Sequence, residues 1–467
     1  MNTHFSLEKH IEEISSNVFI KSGKDTFSFE KFYEAINHFS FFLKKSGVKK
    51  GDLILINDIS AKSLPSILFS IWLNQAIAFP VNPKFPTKQI ENIIKKSRAK
   101  FYISEKTIHD ETIRIKHIKS TDIYETASDT KSQEILLDLE NPATIILTSG
   151  SSGEPKYAVH SLANHFSNAQ AVNQYFNISI KDNWLLALPV FHVAGLAIIL
   201  RAFLAGATLS IPAPDESLSH ALKSYKPSHI SLVPTQLSWL LENEKDIEIL
   251  KQCKVIFLGG SAIPQSLISK SLKYGLNLFT SYGLTEMSST VAIKQIKDGH
   301  TGGATVLPIH DIKIGDENEI LLKGKCLFSG YWANGKIENK LNDKNWFSSK
   351  DLGRLDKMNR LTVLGRKDNM FISGGENIFP EEIEKYILQM EGIDQAIVVP
   401  VENKTFGFRP IAFINPYSKE IIENIKARLS KKLPSFKIPD VFHPWPKNFK
   451  NEFKTIRGHF IKLAANL

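Results

Sequence analysis

The segment that most constrains this chain is a loop of hydroxyl residues and glycines directly after a short apolar run. Residues 148–156 read TSGSSGEPK and follow TIIL at 144–147. Backbone N–H groups reach a phosphate closely only where no Cβ intrudes, so Gly150 and Gly153 leave room for one. We call residues 148–156 the glycine–serine loop and predict that it binds phosphate. The hydrogen-bond donors would be Thr148, Ser149, Ser151 and Ser152, and Lys156 would supply positive charge.

This loop differs from a Walker loop. A Walker sequence has its second glycine immediately before the lysine and a serine or threonine after it, whereas Pro155 precedes Lys156 here and Tyr157 follows it. Taken alone, the loop is also compatible with a polar surface turn between a strand and a helix. Both interpretations stay open until the other segments are considered.

Length and composition place the chain among multidomain globular proteins. With 467 residues, 42% of them hydrophobic, it can bury large cores and is expected to hold more than one domain. The first ten residues lack the basic and then apolar pattern of a secretory signal, and no apolar run has the length of a membrane span. These features predict a cytoplasmic protein without a membrane span.

Charge and cysteine content narrow the function classes. The formal charge is +10, from 58 basic and 48 acidic residues, but the lysines are scattered rather than gathered into a basic stripe with interleaved aromatic residues. We therefore expect no nucleic-acid partner; polyanionic small ligands fit better, and a solvated lysine-rich surface is the alternative. Cys253 and Cys326 are too few and too far apart for a disulfide framework or a zinc site, and we expect both in the core.

The chain alternates short apolar runs with longer helical patterns over most of its length. This alternation is typical of parallel strands joined by crossover helices and predicts a large α/β body of parallel-rich sheets. Beyond Trp332 the strands become shorter and more polar, and a helix is predicted to start behind Pro380. We place the body at residues 1–367 and a small, mobile C-terminal α+β domain at residues 368–467.

Two loops after apolar strands of the body carry small and polar residues, and such loops bind ligands in open α/β sheets. Gly260 with Ser261 would let a planar purine lie against the backbone, and Tyr282 would stack on it. Thr285 would bond a phosphate, and Glu286 is a hard oxygen ligand suited to Mg²⁺. Each residue alone has a plainer interpretation as part of a turn or of the solvated surface.

Three later segments extend this pattern. Asp351 offers two acceptors of the kind that bind a ribose diol, and the guanidinium of Arg366 can bond sugar or phosphates. Gly374 and Gly375 permit close approach of the backbone to a ligand. A lysine-bearing loop at residues 446–457 precedes a last helix.

In this order, these motifs resemble those of the adenylate-forming superfamily, which includes acyl- and aryl-CoA synthetases, adenylation domains of peptide synthetases and firefly-type luciferases. The resemblance covers essentially the whole chain and implies ATP, Mg²⁺ and coenzyme A as ligands. It implies that the glycine–serine loop holds ATP phosphates, Gly260, Ser261 and Tyr282 surround adenine, Thr285 and Glu286 contact phosphate and Mg²⁺, and Asp351 and Arg366 hold the ribose. Asp368 resembles a hinge residue, and Gly374 and Gly375 resemble the loop that lines the pantetheine tunnel.

The chain departs from the superfamily pattern at two places. Tyr157 replaces the glycine that usually follows the loop lysine, so the exit of the loop is expected to differ in shape. The position that usually carries the C-terminal catalytic lysine is Glu452. With two residues inserted, Lys454 matches the downstream half of that motif, and Lys450 is the alternative.

Within the superfamily, residues 184–196, Arg201 and residues 281–289 are most similar to those of the o-succinylbenzoate–CoA ligases of menaquinone biosynthesis. This similarity implies that His192 lies beside the reacting carboxylate and that Arg201, on an otherwise apolar helix, binds the second carboxylate of a dianionic substrate. For Arg201 the alternative is a position at the solvent edge of the helix. A CoA ligase for another aromatic or medium-chain acid, and a non-catalytic nucleotide-binding relative, are the alternative functions.

Overall fold

The computed structural model describes residues 3–106, 115–119, 136–148, 155–260, 263–297, 302–342, 344–446 and 457–466. Helices and sheets are mixed throughout these ranges, which confirms the predicted α/β class. The helices are α1 Leu7–Glu12, α2 Phe29–Lys45, α3 Leu64–Leu73, α4 Thr87–Ser97, α5 Leu162–Phe176, α6 Val193–Leu204, α7 Leu218–Tyr225, α8 Pro234–Leu240, α9 Glu244–Leu250, α10 Gln265–Lys273, α11 Pro380–Leu388, α12 Lys419–Ser430 and α13 Arg457–Ala464.

The strands follow one another in chain order between these helices. They are β1 His4–Ser6, β2 Val18–Ser22, β3 Asp25–Ser28, β4 Leu53–Ile56, β5 Ile77–Pro80, β6 Phe101–Ile103, β7 Lys116–Ile118, β8 Leu136–Asp138, β9 Pro142–Thr148, β10 Lys156–Ser161, β11 Asn183–Leu185, β12 Thr208–Ser210, β13 His229–Leu232, β14 Val255–Leu258, β15 Leu278–Leu284, β16 Ser289–Gln295, β17 Ala304–Val306, β18 His310–Ile314, β19 Glu319–Gly324, β20 Gly330–Ala333, β21 Lys336–Glu338, β22 Phe347–Leu355, β23 Arg360–Arg366, β24 Phe371–Ser373, β25 Glu376–Ile378, β26 Gln395–Asn403, β27 Gly407–Asn415 and β28 Val441–Pro444.

The largest sheet joins a parallel half to an antiparallel half. Its order is β18-β19-β22-β23-β17-β16-β15-β14-β13-β11-β12-β2-β3. The parallel half consists of β15, β14, β13, β11, β12 and β2. The antiparallel half consists of β16, β17, β23, β22, β19 and β18, and β16 pairs antiparallel with β15. The change of direction at β15 and β16 therefore falls where the sequence carries the predicted nucleotide residues.

A second sheet of the body has the order β21-β20-β10-β9-β5-β4-β6-β7. Strands β4, β5, β6, β7 and β9 pair in parallel, and β10, β20 and β21 continue the sheet with antiparallel pairing. The glycine–serine loop lies between β9 and β10 of this sheet.

Local sequence explains why the long helices form. In α2 the side chain of Ser28 accepts a hydrogen bond from the backbone N–H of Lys31, and the buried Phe29, Phe32 and Ile36 recur at helical spacing. Helix α6 is apolar on all sides and is buried almost completely, as such a helix must be. Arg201 is the exception in its sequence.

The C-terminal strands β24 to β28 form a sheet of their own, in the order β25-β24-β27-β26 with β28 beside β27. A separate apolar cluster that includes Phe371, Ile383 and Phe442 packs around this sheet. The division of the chain at residues 367 and 368, and the mobility of the smaller part, stay predictions. Among the described residues, no helix combines the length and the apolar composition that crossing a bilayer requires.

Candidate nucleotide and acid site

The predicted site residues lie where parallel strands of the large sheet end. His192 follows β11, Gly260 follows β14, and Tyr282 lies near the end of β15. Parallel strands present their carboxyl ends at one edge of a sheet, which is where ligands bind in open α/β folds. The fold thus brings segments that are far apart in sequence to one edge.

The glycine–serine loop connects two antiparallel strands. Thr148 is the last residue of β9, Lys156 is the first residue of β10, and the two are paired in the sheet. The loop therefore joins two strands and not a strand and a helix, and its role in binding phosphate stays a prediction. Lys156 Nζ lies 5.3 Å from the centroid of the Tyr331 ring. The other predicted phosphate contacts fall outside the described residues: Ser149, Gly150, Ser151, Ser152 and Gly153.

Glu286 lies in a short 3₁₀ turn, Thr285–Met287, between β15 and β16. Its Oε1 accepts a hydrogen bond of 2.6 Å from Tyr331 Oη. Burial, and then the charge of Glu286, raises the pKa of Tyr331, so the phenol stays protonated and donates. One carboxylate oxygen is thus fixed by the protein, and a carboxylate has further lone pairs for a cation.

Asp351, Tyr282 and Arg366 form one hydrogen-bonded group. Asp351 Oδ2 accepts from Tyr282 Oη at 2.8 Å, and Oδ1 accepts from Arg366 Nη1 at 2.9 Å. Asp351 and Arg366 face each other across β22 and β23. Burial, and then the charge of Asp351, raises the pKa of Tyr282 well above its usual value. Arg366 Nη2 also lies 3.5 Å from Asp368 Oδ2, so one of the two predicted ribose residues contacts the predicted hinge residue.

Arg201 is buried, with 2% of its surface exposed, so the alternative of a solvent-edge arginine is wrong. Its Nη2 donates to Thr290 Oγ1 at 3.1 Å and lies 3.5 Å from Ser289 Oγ, while Nε has no hydrogen-bond partner among the described residues. The rings of Trp184 and Phe257 flank the guanidinium at 5.4 and 5.8 Å. Burial lowers the pKa of Arg201 to about 9, so it is charged at neutral pH.

His192 is the N-cap residue of α6 and is exposed. Arg201 is nine positions further along the chain, which corresponds to about 13 Å along the helix axis. Gly195 in the first turn lies against the chain that enters the helix, because a Cβ there would be 2.2 Å from the carbonyl oxygen of Pro189. His192 and Arg201 are therefore at opposite ends of one rigid helix.

The predicted glycines have conformational roles. Gly260 has a backbone φ of +90°, which residues with a side chain rarely adopt. Gly374 and Gly375, with φ of +59° and +89°, form the two-residue turn between β24 and β25, where positive φ at both positions is required. Ser261 lies outside the described residues. The contacts of these glycines with adenine or pantetheine stay predictions.

The C-terminal lysine motif also lies outside the described residues, which end at 446 and resume at 457, so Lys450 and Lys454 have no structural description. Within the described ranges, no group of three or more histidine, cysteine, aspartate or glutamate side chains could hold a metal ion. A single carboxylate such as that of Glu286 can share Mg²⁺ with phosphate oxygens and water, which is how Mg²⁺ commonly binds beside nucleotides.

Sequence reasoning missed several residues of the site. Tyr331 bonds Glu286, Thr290 bonds Arg201, and His160 bonds the backbone of Thr285. For Tyr331, the sequence offered one weak signal, which is the preceding Gly330. His160 lies in an ordinary strand, and nothing in the sequence connects it with Thr285, which is 125 residues away.

Comparison with known proteins identifies the class. The profile of the AMP-binding enzyme family matches residues 7–332, and that of the AMP-binding enzyme C-terminal domain matches residues 382–450. The chain therefore belongs to the AMP-binding enzyme family, which confirms the predicted superfamily.

Within that family, the chain is similar to several CoA ligases. It is 36% identical over 427 residues to the 2-succinylbenzoate–CoA ligase of Haemophilus influenzae, covering 90% of this chain and 89% of that one. A solved variant of E. coli MenE with bound OSB-AMS has a TM-score of 0.85 and 27% identity, with coverage of 100% and 99%. The o-succinylbenzoate coenzyme A synthetase of Bacillus subtilis, in complex with ATP and magnesium ion, has a TM-score of 0.82 and 25% identity, with coverage of 95% and 96%.

Proposed function

We propose that this protein activates o-succinylbenzoate with ATP and transfers the acyl group to coenzyme A. The family match and the similarity to 2-succinylbenzoate–CoA ligases along nearly the whole chain confirm the prediction of an AMP-forming acid–thiol ligase. The same similarity supports ATP, Mg²⁺ and coenzyme A as its ligands.

The observation that carries the choice of acid is the environment of Arg201. Among the described residues, the buried guanidinium bonds only hydroxyl groups and its Nε has no partner, which is a costly arrangement in a protein interior. The carboxylate of a ligand would supply the missing charge and acceptors. o-Succinylbenzoate carries two carboxylates, so one can react while the other binds Arg201, and its ring suits the adjacent faces of Trp184 and Phe257.

In the first half-reaction an oxygen of the aliphatic carboxylate attacks the α-phosphorus of ATP. A P–O bond forms to give the acyl-adenylate, the bond to the β-phosphate breaks, and pyrophosphate leaves with its electron pair. Lys156 and Lys454 offset the negative charge that develops on the phosphates, and Thr285 donates a hydrogen bond to them. Glu286 would hold Mg²⁺, which neutralises phosphate charge when bound. His192 orients the reacting carboxylate.

In the second half-reaction the thiol sulfur of coenzyme A attacks the acyl carbon; the C–S bond forms, the C–O bond to the phosphate breaks, AMP leaves with its electron pair, and the thiol proton is released to water. Asp351 and Arg366 hold the ribose of the nucleotide, with Tyr282, Gly260 and Ser261 around the adenine. We assign the hinge between the two half-reactions to Asp368, which lies beside Arg366. Rotation there would withdraw Lys454 and bring Gly374 and Gly375 to the pantetheine channel.

The proposed substrate is tested by acid-dependent exchange of labelled pyrophosphate into ATP. The panel contains o-succinylbenzoate, 4-phenylbutyrate, which lacks the aromatic carboxylate and the ketone, and a medium-chain fatty acid. We expect o-succinylbenzoate to be preferred by at least about a hundredfold in kcat/KM, because a site built for a polar group rejects analogues that lack it.

The Lys156→Ala variant, tested with the same panel, is the control for the nucleotide site. It should lower exchange for all acids by a similar factor, because the lost charge contacts ATP and not the acid. Preference of the wild-type enzyme for a mono-acid would contradict the substrate assignment, and absence of exchange with every acid would contradict catalysis.

A further inference from the structure

Residues Thr285–Thr290, which we call the 285–290 turn, join the two ends of the site. At one end are Thr285 and Glu286, assigned above to phosphate and Mg²⁺. At the other end are Ser289 and Thr290, whose hydroxyls contact Arg201. The geometry of this short segment therefore sets both the nucleotide contacts and the position of the guanidinium.

The turn contains unusual backbone. Ser288 has φ +55° and Ser289 has φ +114°, although neither is a glycine. Non-glycine residues in these regions persist only where the surrounding structure holds them, and they are concentrated at functional sites. The preceding Gly283 permits the close approach, because a Cβ there would lie 2.0 Å from the carbonyl oxygen of Ser289.

Three buried side chains bond the carbonyl groups of the turn from outside it. His160 Nε2 lies 2.7 Å from Thr285 O, Asn168 Nδ2 donates to Thr290 O at 2.8 Å and to Met287 O at 3.3 Å, and His310 Nε2 lies 3.0 Å from Thr290 O. A carbonyl oxygen only accepts, so both imidazoles donate through Nε2. His160 and Asn168 have no exposed surface.

We propose that His160 and Asn168 are positioning residues for the two ends of the site. His160 fixes Thr285 and Glu286 for the Mg²⁺-bound nucleotide, and Asn168 fixes Thr290, and through it Arg201, for the second carboxylate of the acid. This assignment deepens the proposed function and rests on it. It predicts that loss of the His160 bond and loss of the Asn168 bond change two different kinetic parameters.

The first test compares His160→Met, which lacks the donor, with His160→Gln, whose side-chain N–H can replace Nε2–H. Leaving Thr285 O buried without a donor should lower kcat for adenylate formation roughly ten- to hundredfold and raise the half-saturating Mg²⁺ concentration. The KM for o-succinylbenzoate should change less than about twofold, and His160→Gln should stay within about threefold of wild type.

The second test is Asn168→Leu, which removes the donors at similar volume. It should raise the KM for o-succinylbenzoate roughly tenfold and leave the Mg²⁺ dependence unchanged. His117→Met is the matched control for both tests, because His117 Nε2 bonds the carbonyl of Ser104 at 2.8 Å on strand β7, in the other sheet. It should keep wild-type kinetics at equal melting temperature.

The proposal is overturned if His160→Met and Asn168→Leu change the same parameters, if His160→Gln does not restore activity, or if His160→Met behaves like His117→Met. Should His160→Met fail to fold, His160→Asn also lacks a donor at the Nε2 position. Loss of folding in both, with His160→Gln folded and active, would assign the bond to stability and overturn the proposal. If the wild-type enzyme prefers another acid, the proposed substrate fails, but the Mg²⁺ dependence can still be measured with that acid.

Discussion

The site contains two arginines in opposite electrostatic situations. The side chain of Arg366 is 44% exposed, bonds Asp351 at 2.9 Å and lies 3.5 Å from Asp368. Arg201 is 2% exposed and forms no ion pair with a described residue. The charge of Arg366, which we assign to the nucleotide, is therefore balanced by neighbouring carboxylates, whereas Arg201, which we assign to the acid, is a buried positive charge without an ion-pair partner among the described residues.

This difference separates two ways of recognising a charged ligand. At the nucleotide end a ligand adds hydrogen bonds to a group that is already paired, so each contact contributes modestly. At the acid end the carboxylate of the ligand would pair a charge that the fold has already desolvated, and such a contact discriminates strongly between ligands. The comparison leads to predictions that we order by expected effect.

The largest effect concerns Lys454, the C-terminal lysine that we assign to the phosphates of ATP. Lys454→Ala should lower adenylate formation roughly a hundred- to thousandfold, because its charge opposes that of the phosphates in the transition state. Thioester formation from supplied acyl-adenylate should persist. Single-turnover measurements of the two half-reactions separate these outcomes.

Lys450→Ala is the matched control for this experiment, and it should reduce adenylate formation only a few-fold. If Lys450→Ala instead abolishes the first half-reaction and Lys454→Ala does not, the catalytic role belongs to Lys450.

The second effect tests the acid end. Arg201→Leu should lower kcat/KM for o-succinylbenzoate roughly a hundredfold and leave 4-phenylbutyrate nearly unchanged, because only the diacid loses an ionic partner. Arg201→Lys should be intermediate, since an ammonium keeps the charge but not the two-pronged donor geometry. An unchanged preference for the diacid in Arg201→Leu would disprove the role of Arg201.

Much of the fold could be predicted because its signals are local. Helix α2 has buried apolar residues at helical spacing, and β4 consists of four consecutive apolar residues, so both elements are marked in the sequence itself. The antiparallel half of the large sheet was not predicted. Strands such as β22 and β23 have no distinctive composition, and only their pairing in the structure defines the sheet. Strand β17, for example, pairs with β23, with Ala304 opposite Leu361, and pairing between such distant segments leaves no periodicity in the sequence.

The site shows the same division. Residues in glycine-rich loops, such as Gly260, could be found because close approach and positive φ demand particular residue types. The burial of Arg201 was left open, since one arginine in an apolar helix fits a solvent edge or a core equally well. The structure decided it by packing both Trp184 and Phe257 against the guanidinium. The roles of the individual site residues stay predictions for the kinetic tests.

The third effect is at the paired arginine. Arg366→Leu should raise the KM for ATP roughly tenfold and do so equally for every acid, because Asp351 keeps its bond from Tyr282. The measurement is the KM for ATP at saturating o-succinylbenzoate and at saturating 4-phenylbutyrate. A change that depends on the acid would show that the two ends are not separate.

The smallest effect at neutral pH concerns stability. Burial lowers the pKa of His160 and of His310 to about 4, although each backbone carbonyl bond opposes the shift. Both imidazoles are neutral in the folded protein at pH 7. The free energy of unfolding should therefore be insensitive to small changes near pH 7.5.

At acidic pH, these two histidines should lower the free energy of unfolding. Between pH 6.5 and 4 the unfolded chain binds protons that the folded protein does not bind, so the free energy of unfolding falls as the pH falls. A shift of this size corresponds to about 3 kcal/mol for each group by pH 4. In urea unfolding between pH 7 and 5, His160→Gln should show a shallower fall than wild type, because glutamine does not titrate. An equally steep fall in that variant would mean that folding does not lower the pKa of His160, which would contradict this prediction.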